Sequence, residues 1–87
     1  MGGITLNDTV EMMNSKDYTE RMKAEFLQLR IRRNKLQLMI DRYIAGELNF
    51  EPTCSLELLQ SQVAAMDTYA LILKERARLE NVDLFKY

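Results

Sequence analysis

Three polar side chains recur every seven residues in the C-terminal half of the chain, namely Gln62, Tyr69 and Arg76. Seven residues are close to two turns of an α-helix, so the three side chains form one line on a helix surface. A tyrosine ring can stack on a nucleobase, and an arginine can hold a phosphate with two parallel hydrogen bonds. The line therefore predicts either a nucleotide-binding surface, with Tyr69 and Arg76 as candidate ligand contacts, or a hydrogen-bond ladder that flanks an apolar core.

A basic stretch over residues 21–42 is the second feature that suits an anionic ligand. It carries seven basic and two acidic side chains, although the whole chain has a net charge of −1. The basic stretch can pair with acidic parts of the protein across a helical interface, or it can bind an anion. Proteins that bind nucleic-acid polymers are normally basic overall, so any nucleotide ligand is predicted to be small.

Arg33 is the most unusual member of this stretch, because it stands where the spacing of its neighbours predicts a core residue. Apolar side chains surround it in alternating steps of four and three, the period of a packed helical seam: Met22, Phe26, Leu29, Leu36, Ile40 and Tyr43. Three explanations are open. Arg33 reaches out of the seam beside Met66 and Tyr69, it pairs with a carboxylate of a neighbouring subunit, or it binds a phosphate.

The sequence offers little for catalysis or for metal binding. It contains no histidine and a single cysteine, Cys54, which therefore lacks the partner that activates a nucleophilic thiol or completes a common zinc site. We predict neither an enzyme nor a metal site, and no cofactor. The single cysteine, together with the absence of a signal peptide and of an apolar run of about 20 residues, favours a protein of the reduced cytoplasm.

Long helices must position these residues, since three glycines and one proline suit uninterrupted helices better than a sheet with many turns. Asp17 and Glu20 have the spacing of an N-terminal capping box, although Ser15 is a rival cap. The first long helix is therefore predicted over about residues 17–45. Gly46 is typical of the residue that follows a helix end.

The rest of the chain is predicted as a connection, a second long helix and two end segments. The connection over 46–54 contains a proline, and Thr53 or Ser55 then caps a helix over about 55–80. The apolar tail either folds back on the helix ends or contacts a neighbouring subunit. The predicted organisation is an N-terminal segment with a short helix at 1–14 and a helical hairpin at 15–87, of which 81–87 form the tail.

The apolar pattern predicts an all-α fold, an antiparallel two-helix hairpin that assembles into a homo-oligomer. The second helix has its own seam in steps of four and three: Leu59, Val63, Met66, Ala70, Leu73 and Ala77. Each helix carries a further apolar line, Leu27, Ile31, Leu38 and Ala45 on the first, and Leu58, Ala65, Ile72 and Leu79 on the second. Two helices cannot bury two faces each, so we expect other copies of the chain, or one larger partner, to cover these lines.

The combined pattern of both helices resembles a known protein family. It consists of the "DYTERMKAEFLQL" start of the first helix and the line Leu59-x2-Gln62-x3-Met66-x2-Tyr69-x3-Leu73-x2-Arg76 of the second. Over about residues 17–80 the chain resembles short phage and prophage proteins that are described as related to a crAss-like phage protein. Through them it resembles the helical-hairpin domain of phage anti-CBASS and anti-Thoeris sponge proteins.

The resemblance implies binding without cleavage. Such proteins sequester cyclic di- or trinucleotide immune messengers, or cyclic ADP-ribose-like signals, in pockets between subunits of an oligomer that is commonly a hexamer. It implies an aromatic contact from Tyr18 and a phosphate contact from Arg76. One of three basic residues would supply a further contact: Arg32, Arg33 or Lys35. The chain would then be a phage counter-defence protein in the cytoplasm of a bacterial host, with neither a membrane nor a nucleic-acid polymer as a partner.

Two other functions fit the same sequence. A small helical protein that inhibits a host protein, in the manner of an anti-CRISPR, would be a monomer or dimer with an exposed apolar stripe along Ile31 and Leu38. A nucleic-acid accessory protein would use the basic stretch, and its binding to duplexes would weaken steeply with salt.

Overall fold

The computed structural model describes residues 5–85, and all regular secondary structure in that range is helical, which confirms the all-α part of the predicted fold. A 3-10 turn over Asn7–Thr9 leads into the short helix α1, Val10–Met13, and the two long helices are α2, Tyr18–Ala45, and α3, Leu56–Leu79. The parts of the predicted end segments at 1–4 and 86–87 lie outside the described residues. Between residues 5 and 85, no helix is both long and apolar enough to cross a membrane.

Both long helices begin after a residue whose side chain caps the helix, as the sequence predicted. Asp17 Oδ1 accepts a hydrogen bond from the backbone N–H of Thr19 at 2.9 Å, and Ser55 Oγ accepts one from the N–H of Leu58 at 3.2 Å. Ser15, the rival cap for α2, instead accepts the backbone N–H of Asp17 at 3.1 Å. Each bond satisfies a donor that has no partner within the first helical turn, which explains why the helices start at Tyr18 and Leu56.

The Asp17 cap predicts stability that is lost in acid. Hydrogen bonds from the Thr19 hydroxyl and backbone N–H hold the pKa of Asp17 below its ordinary value of 3.8. The cap therefore stabilises the fold fully above pH 3.8, and this contribution is lost as the pH falls through the lower pKa of the folded state. Asp17→Asn still caps the helix but does not titrate. We expect its free energy of unfolding to fall less than that of the wild-type protein between about pH 4 and pH 2.

Urea unfolding of both proteins across this pH range measures the effect. Asp8 and Glu75 are unchanged in the variant, and hydrogen bonds from Thr5 and Arg78 also lower the pKa of these two carboxyls, so a smaller acid dependence remains. If the free energy of unfolding depends on pH identically in the wild-type protein and in Asp17→Asn, the charge of Asp17 contributes nothing to stability.

Both long helices end in a residue with left-handed backbone geometry. Gly46, with φ of +72°, follows α2, and Asn81, with φ of +57°, lies just beyond α3. The next backbone N–H, that of Glu47 or of Val82, donates to the carbonyl five residues earlier, at 2.9 and 2.8 Å respectively. This is the Schellman ending, which satisfies the last carbonyls of a helix and reverses the direction of the chain.

These two endings predict opposite effects of two substitutions. Gly46→Ala should lower the free energy of unfolding by about 1 kcal/mol, because a side chain disfavours positive φ. A Cβ at position 46 would meet no atom within 4 Å, so the cost is conformational and not a clash. Asn81→Gly should raise the stability by a few tenths of a kcal/mol, roughly, for the same reason. Urea unfolding monitored by circular dichroism tests both, and an unchanged midpoint for Gly46→Ala would contradict this account of the α2 ending.

Two apolar clusters lie between α2 and α3. The first joins the start of α2 to the end of α3 and contains Met22, Phe26, Leu29, Leu73, Ala77 and Leu84. The second joins the end of α2 to the start of α3 and contains Ile40, Leu59 and Val63. Phe26, Ile40 and Leu73 are almost completely removed from solvent. The predicted seams of both helices therefore supply the core.

The N-terminal segment packs on α2 and hides part of its second apolar line. Thr9 is fully buried, and its hydroxyl accepts a hydrogen bond from Gln28 Nε2 at 2.9 Å. Ala24 and Leu27 are buried yet belong to neither cluster between α2 and α3, and the 3-10 turn and α1 also contact this helix. The chain therefore covers Leu27 itself, whereas the sequence predicted that another copy or one larger partner would do so. The line is exposed from Leu38 onward.

The tail after α3 folds back on its own chain. Leu84 is 3% exposed and belongs to the first cluster. Phe85 meets Phe26 edge to face, with ring centroids 5.5 Å apart and an interplanar angle of 85°. The Schellman turn at Asn81 therefore places the ring of Phe85 beside the start of α2.

Candidate functional site

Two of the predicted ligand-binding residues, one from each long helix, are in contact in the structure. Arg76 Nη2 donates a hydrogen bond to the hydroxyl oxygen of Tyr18 at 2.6 Å. Tyr18 is the first residue of α2, and Arg76 lies in the last turn of α3. Tyr18 is 43% exposed and the Arg76 side chain 47% exposed. The pair therefore offers a ring and a guanidinium group to solvent at one end of the protein.

Arg21 adds a second cation to this pair and was not among the predicted residues. Its Cζ lies 6.0 Å from the centroid of the Tyr18 ring, and its Nη1 donates to the carbonyl of Ser15 at 2.7 Å. Tyr18 and Arg21 are three residues apart on α2, and this helical spacing is the signal that would have found the contact. Tyr18 thus lies between two guanidinium groups, one near its ring and one at its hydroxyl.

Two more of the predicted residues lie on the same side of the long helices. Arg32 follows Tyr18 by fourteen residues and Tyr69 precedes Arg76 by seven, and both spacings are close to an even number of helical turns. Arg32 and Tyr69 are exposed. We call the surface formed by Tyr18, Arg32, Tyr69 and Arg76 the tyrosine–arginine face. It contains four of the six residues that were predicted to bind a ligand.

An exposed apolar line of α3 borders this face. All four members are exposed, and the three large ones are between 54% and 66% exposed: Leu58, Ala65, Ile72 and Leu79. Ile72 is three residues from Tyr69 and four from Arg76, so it is their neighbour on the helix surface. Any molecule that covers the apolar line will therefore also approach the tyrosine–arginine face.

Arg33 pairs with a carboxylate of its own chain. Its Nε and Nη2 donate to Asp67 Oδ1 and Oδ2 at 2.8 and 3.4 Å. This hydrogen bonding raises the pKa of Arg33. The partner comes from α3 of the same chain and not from a neighbouring subunit, which was the source considered from the sequence. The pair marks the level at which α2 and α3 meet, and because exposed ion pairs contribute little to stability, it adds little to the free energy of unfolding.

Lys35 lies three residues after Arg32 and is its neighbour on the helix surface, but it lies apart from Tyr18, Arg33 and Arg76. It follows Arg33 by two positions, which is about 200° of rotation around the helix. Arg33 faces Asp67 on α3, so Lys35 projects from the opposite side of α2, where it is exposed. The structure therefore brings Lys35 together neither with Tyr18 nor with Arg76.

A cleft on the other side of the α2–α3 seam contains one of the predicted ligand-binding residues, Arg33, together with residues that were not predicted to bind a ligand. Its volume is about 180 Å³, and polar and charged side chains form its mouth: Arg30, Arg33, Asn34, Asp67 and Lys74. Phe26 contributes to its wall. We call this site the Arg30 cleft. In the sequence, Arg30 is one of seven similar charges, and nothing in a linear pattern connects it to Lys74 on the other long helix.

Acidic and cysteine side chains do not form a metal site in this structure. Between residues 5 and 85, no three His, Cys, Asp or Glu side chains lie close enough together to hold a metal ion. The charged groups of the tyrosine–arginine face and of the Arg30 cleft are instead mostly cationic, although Arg76 Nε lies 3.8 Å from Glu80 Oε2 and Arg33 pairs with Asp67. The chemistry that these two sites can perform is therefore the binding of anions.

Comparison with known proteins gives one match. The sequence model of a family described as Sequestin matches residues 16–79, a range that begins just before α2 and ends with the last residue of α3. All six predicted ligand-binding residues fall within the matched range. No curated protein sequence and no solved structure matches the chain.

Proposed function

Because the chain belongs to the Sequestin family, we propose that it sequesters a small molecule, and that this molecule is a cyclic nucleotide immune messenger. The ligand would be a cyclic di- or trinucleotide or a cyclic ADP-ribose-like signal. The family name denotes sequestration, and the sequence resemblance to anti-CBASS and anti-Thoeris sponges supports the choice of ligand. On this proposal the protein serves a phage or prophage in the cytoplasm of a bacterial host.

The contact between Tyr18 and Arg76 is the observation that carries the proposal. A nucleotide needs an apolar surface for its base and a cation for its phosphate. The Tyr18 ring and the Arg76 guanidinium can supply them, and Arg76 Nη2 lies 2.6 Å from the hydroxyl oxygen of Tyr18. Arg21 lies 6.0 Å from the same ring and adds positive charge. Arg32 and Tyr69 extend the face along both helices and would contact a second nucleotide of the ligand.

The charge distribution supports a small ligand over a polymer. The tyrosine–arginine face is cationic, whereas the whole chain has a net charge of −1. Long-range attraction of a nucleic-acid polymer requires a basic protein surface of larger extent. A cyclic dinucleotide or trinucleotide carries only a few charges, which two or three arginines neutralise.

We further propose that the unit of function is an antiparallel hairpin of α2 and α3 that assembles into a homo-oligomer, a hexamer by resemblance. The exposed line of Leu58, Ile72 and Leu79 supports this assembly, because water is an unfavourable environment for such a continuous apolar surface. Since Ile72 is a helical neighbour of Tyr69 and Arg76, subunits that meet along this line would enclose the ligand between them. The binding pocket would then be complete only in the oligomer.

Sequestration of this kind is stoichiometric. The protein would lower the free concentration of the messenger below the level that its effector needs, so protection depends on the amount of protein and on the dissociation constant. The proposal includes no catalytic residue, no cofactor and no metal ion. Arg76 and Arg32 would neutralise phosphates, and Tyr18 and Tyr69 would stack on bases.

A ligand-release experiment tests the proposal. The purified protein is incubated with a panel of cyclic dinucleotides, cyclic trinucleotides and cyclic ADP-ribose isomers, freed of unbound ligand by gel filtration, and then heated. We expect one class of messenger to be released intact, in an amount comparable to that of the protein. If a well-folded oligomer binds none of them at micromolar concentration, the proposal is wrong. Recovery of a cleaved product would instead indicate an enzyme.

A small helical interaction protein remains the second candidate, and the exposed residues Leu38 and Ile72 favour it. Such a protein would use an apolar helix face to bind and inhibit a host protein. Size-exclusion chromatography with light scattering distinguishes the two candidates. A monomer with free apolar faces would favour the interaction protein, and a stable oligomer would favour the sponge.

A further inference from the structure

Two cations converge on one aromatic ring in the Arg30 cleft. The Cζ atom of Arg30 lies 5.7 Å from the centroid of Phe26, and Nζ of Lys74 lies 6.0 Å from the same centroid. Arg30 comes from α2 and Lys74 from α3. Like charges repel, so their convergence on one ring raises the energy of the empty cleft and favours a bound anion.

Phe85 holds the guanidinium group of Arg30 from a second direction. Its ring centroid is also 5.7 Å from Cζ of Arg30, and its ring meets that of Phe26 at 85°. Two rings therefore restrict the position of one guanidinium group. A cation that is already held in place loses less freedom when it binds a ligand, which increases the affinity of the site.

The cleft has an excess of positive charge. Asp67 is the single carboxylate in its lining, and both of its oxygens already accept hydrogen bonds from Arg33. Within residues 5–85, neither Arg30 nor Lys74 forms an ion pair with a carboxylate. Two cations of the cleft are thus free to bind an anion, whereas Arg33 is neutralised.

We propose that the Arg30 cleft binds the phosphate or diphosphate group of a small molecule, with Arg30 and Lys74 as the donors that hold it. The volume of about 180 Å³ far exceeds the roughly 10–15 Å³ that one water molecule requires, so a group of several heavy atoms fits. A guanidinium fork matches two phosphate oxygens, and the Lys74 ammonium supplies a further charge. Asn34, at the mouth of the cleft, offers amide N–H groups to a third oxygen.

This site is separate from the tyrosine–arginine face and does not depend on the function proposed for that face. The two sites share no residue. A negative result in the messenger panel would therefore leave the Arg30 cleft unaffected, and a cleft that binds nothing would leave the sponge proposal unaffected.

Pyrophosphate is the probe for the test, with binding measured by isothermal titration calorimetry at low ionic strength. We expect the wild-type protein to bind it with a dissociation constant of about 1 mM or lower. Arg30→Gln and Lys74→Gln should each weaken binding about tenfold, because each removes a charge-assisted hydrogen bond. Asp67→Asn should tighten binding about threefold or more, because it removes the competing anion and releases Arg33.

The matched control is Arg42→Gln, which makes the same charge change at an exposed position near the other end of α2. It should leave the affinity for pyrophosphate within about twofold of wild type, and thermal unfolding of each variant confirms that it is folded. The proposal is overturned if the wild-type protein does not bind pyrophosphate, if Arg42→Gln weakens binding as much as Arg30→Gln, or if Asp67→Asn fails to tighten it. Equal weakening by Arg42→Gln would mean that only the net charge matters, and a failure of Asp67→Asn to tighten binding would mean that the anion does not bind beside Arg33.

Discussion

Replacing Leu73 with alanine is expected to lower the free energy of unfolding by about 2–5 kcal/mol. Leu73 is 0% exposed and contacts the first apolar cluster, in which side chains of α2, α3 and the tail meet. The substitution removes buried methyl groups and leaves a cavity that α-helices cannot close by shifting. A chain of 87 residues has a small core, so this loss is a large part of the total of about 5–15 kcal/mol that is typical of a domain.

Leu71→Ala is the matched control, because it makes the same chemical change on the same helix. Leu71 is 65% exposed, so its truncation should change the stability by less than about 0.5 kcal/mol. Urea unfolding of both variants at one protein concentration measures the difference, since the stability of an oligomer depends on concentration. Equal losses for Leu71→Ala and Leu73→Ala would mean that the first cluster is not the core of the protein.

Arg76→Ala is expected to weaken binding of the messenger identified by the ligand panel about 10- to 100-fold. Hydrogen bonds to charged groups contribute roughly 1.5–3 kcal/mol each, and 1.4 kcal/mol corresponds to a factor of ten in the dissociation constant. The variant also removes the donor that holds the Tyr18 hydroxyl at 2.6 Å, so the tyrosine ring loses its fixed position. Calorimetric titration with the messenger measures the change.

Arg78→Ala provides the comparison for this substitution. Arg78 is also an arginine in the last turn of α3, and each of the two arginines pairs with a carboxylate of its own helix, Arg78 with Glu75 and Arg76 with Glu80. Arg76 also donates to the Tyr18 hydroxyl. Removal of Arg78 should leave the dissociation constant within about twofold of wild type. Arg76→Lys should give an intermediate affinity, because lysine keeps the charge but not the planar fork. If the messenger binds Arg76→Ala as tightly as it binds the wild-type protein, Arg76 is not part of the binding site.

Local features of the fold could be predicted from the sequence because short-range chemistry determines them. Asp17, Ser55 and Gly46 cap or terminate helices through hydrogen bonds to residues within one turn, so the predicted limits of 17–45 and 55–80 lie within a residue of Tyr18–Ala45 and Leu56–Leu79. The apolar seams could be predicted for a similar reason, because backbone geometry fixes the helical periodicity.

The remaining features depend on which distant side chains meet in three dimensions. Arg33 was recognised as an unusual seam residue, but its partner Asp67 depends on the level at which α2 and α3 pack, which no local pattern encodes. The Arg30 cleft was missed because Lys74 comes from the other long helix, and because Phe85, whose ring lies 5.7 Å from Arg30, reaches it only after the chain reverses at Asn81. The ligand of the tyrosine–arginine face stays a prediction, since spacing alone shows which side chains align and not what they bind.

The N-terminal segment has a consequence for how copies of the chain can add to one another. A subunit with exposed apolar lines on two sides can bind another copy on each side, and repeated addition of that kind produces open filaments. Burial of Leu27 beneath the 3-10 turn and α1 removes the first part of one of these lines, and leaves the line of α3 as the longer one. For the homo-oligomer that we propose, we therefore expect growth to stop at a closed assembly of defined size.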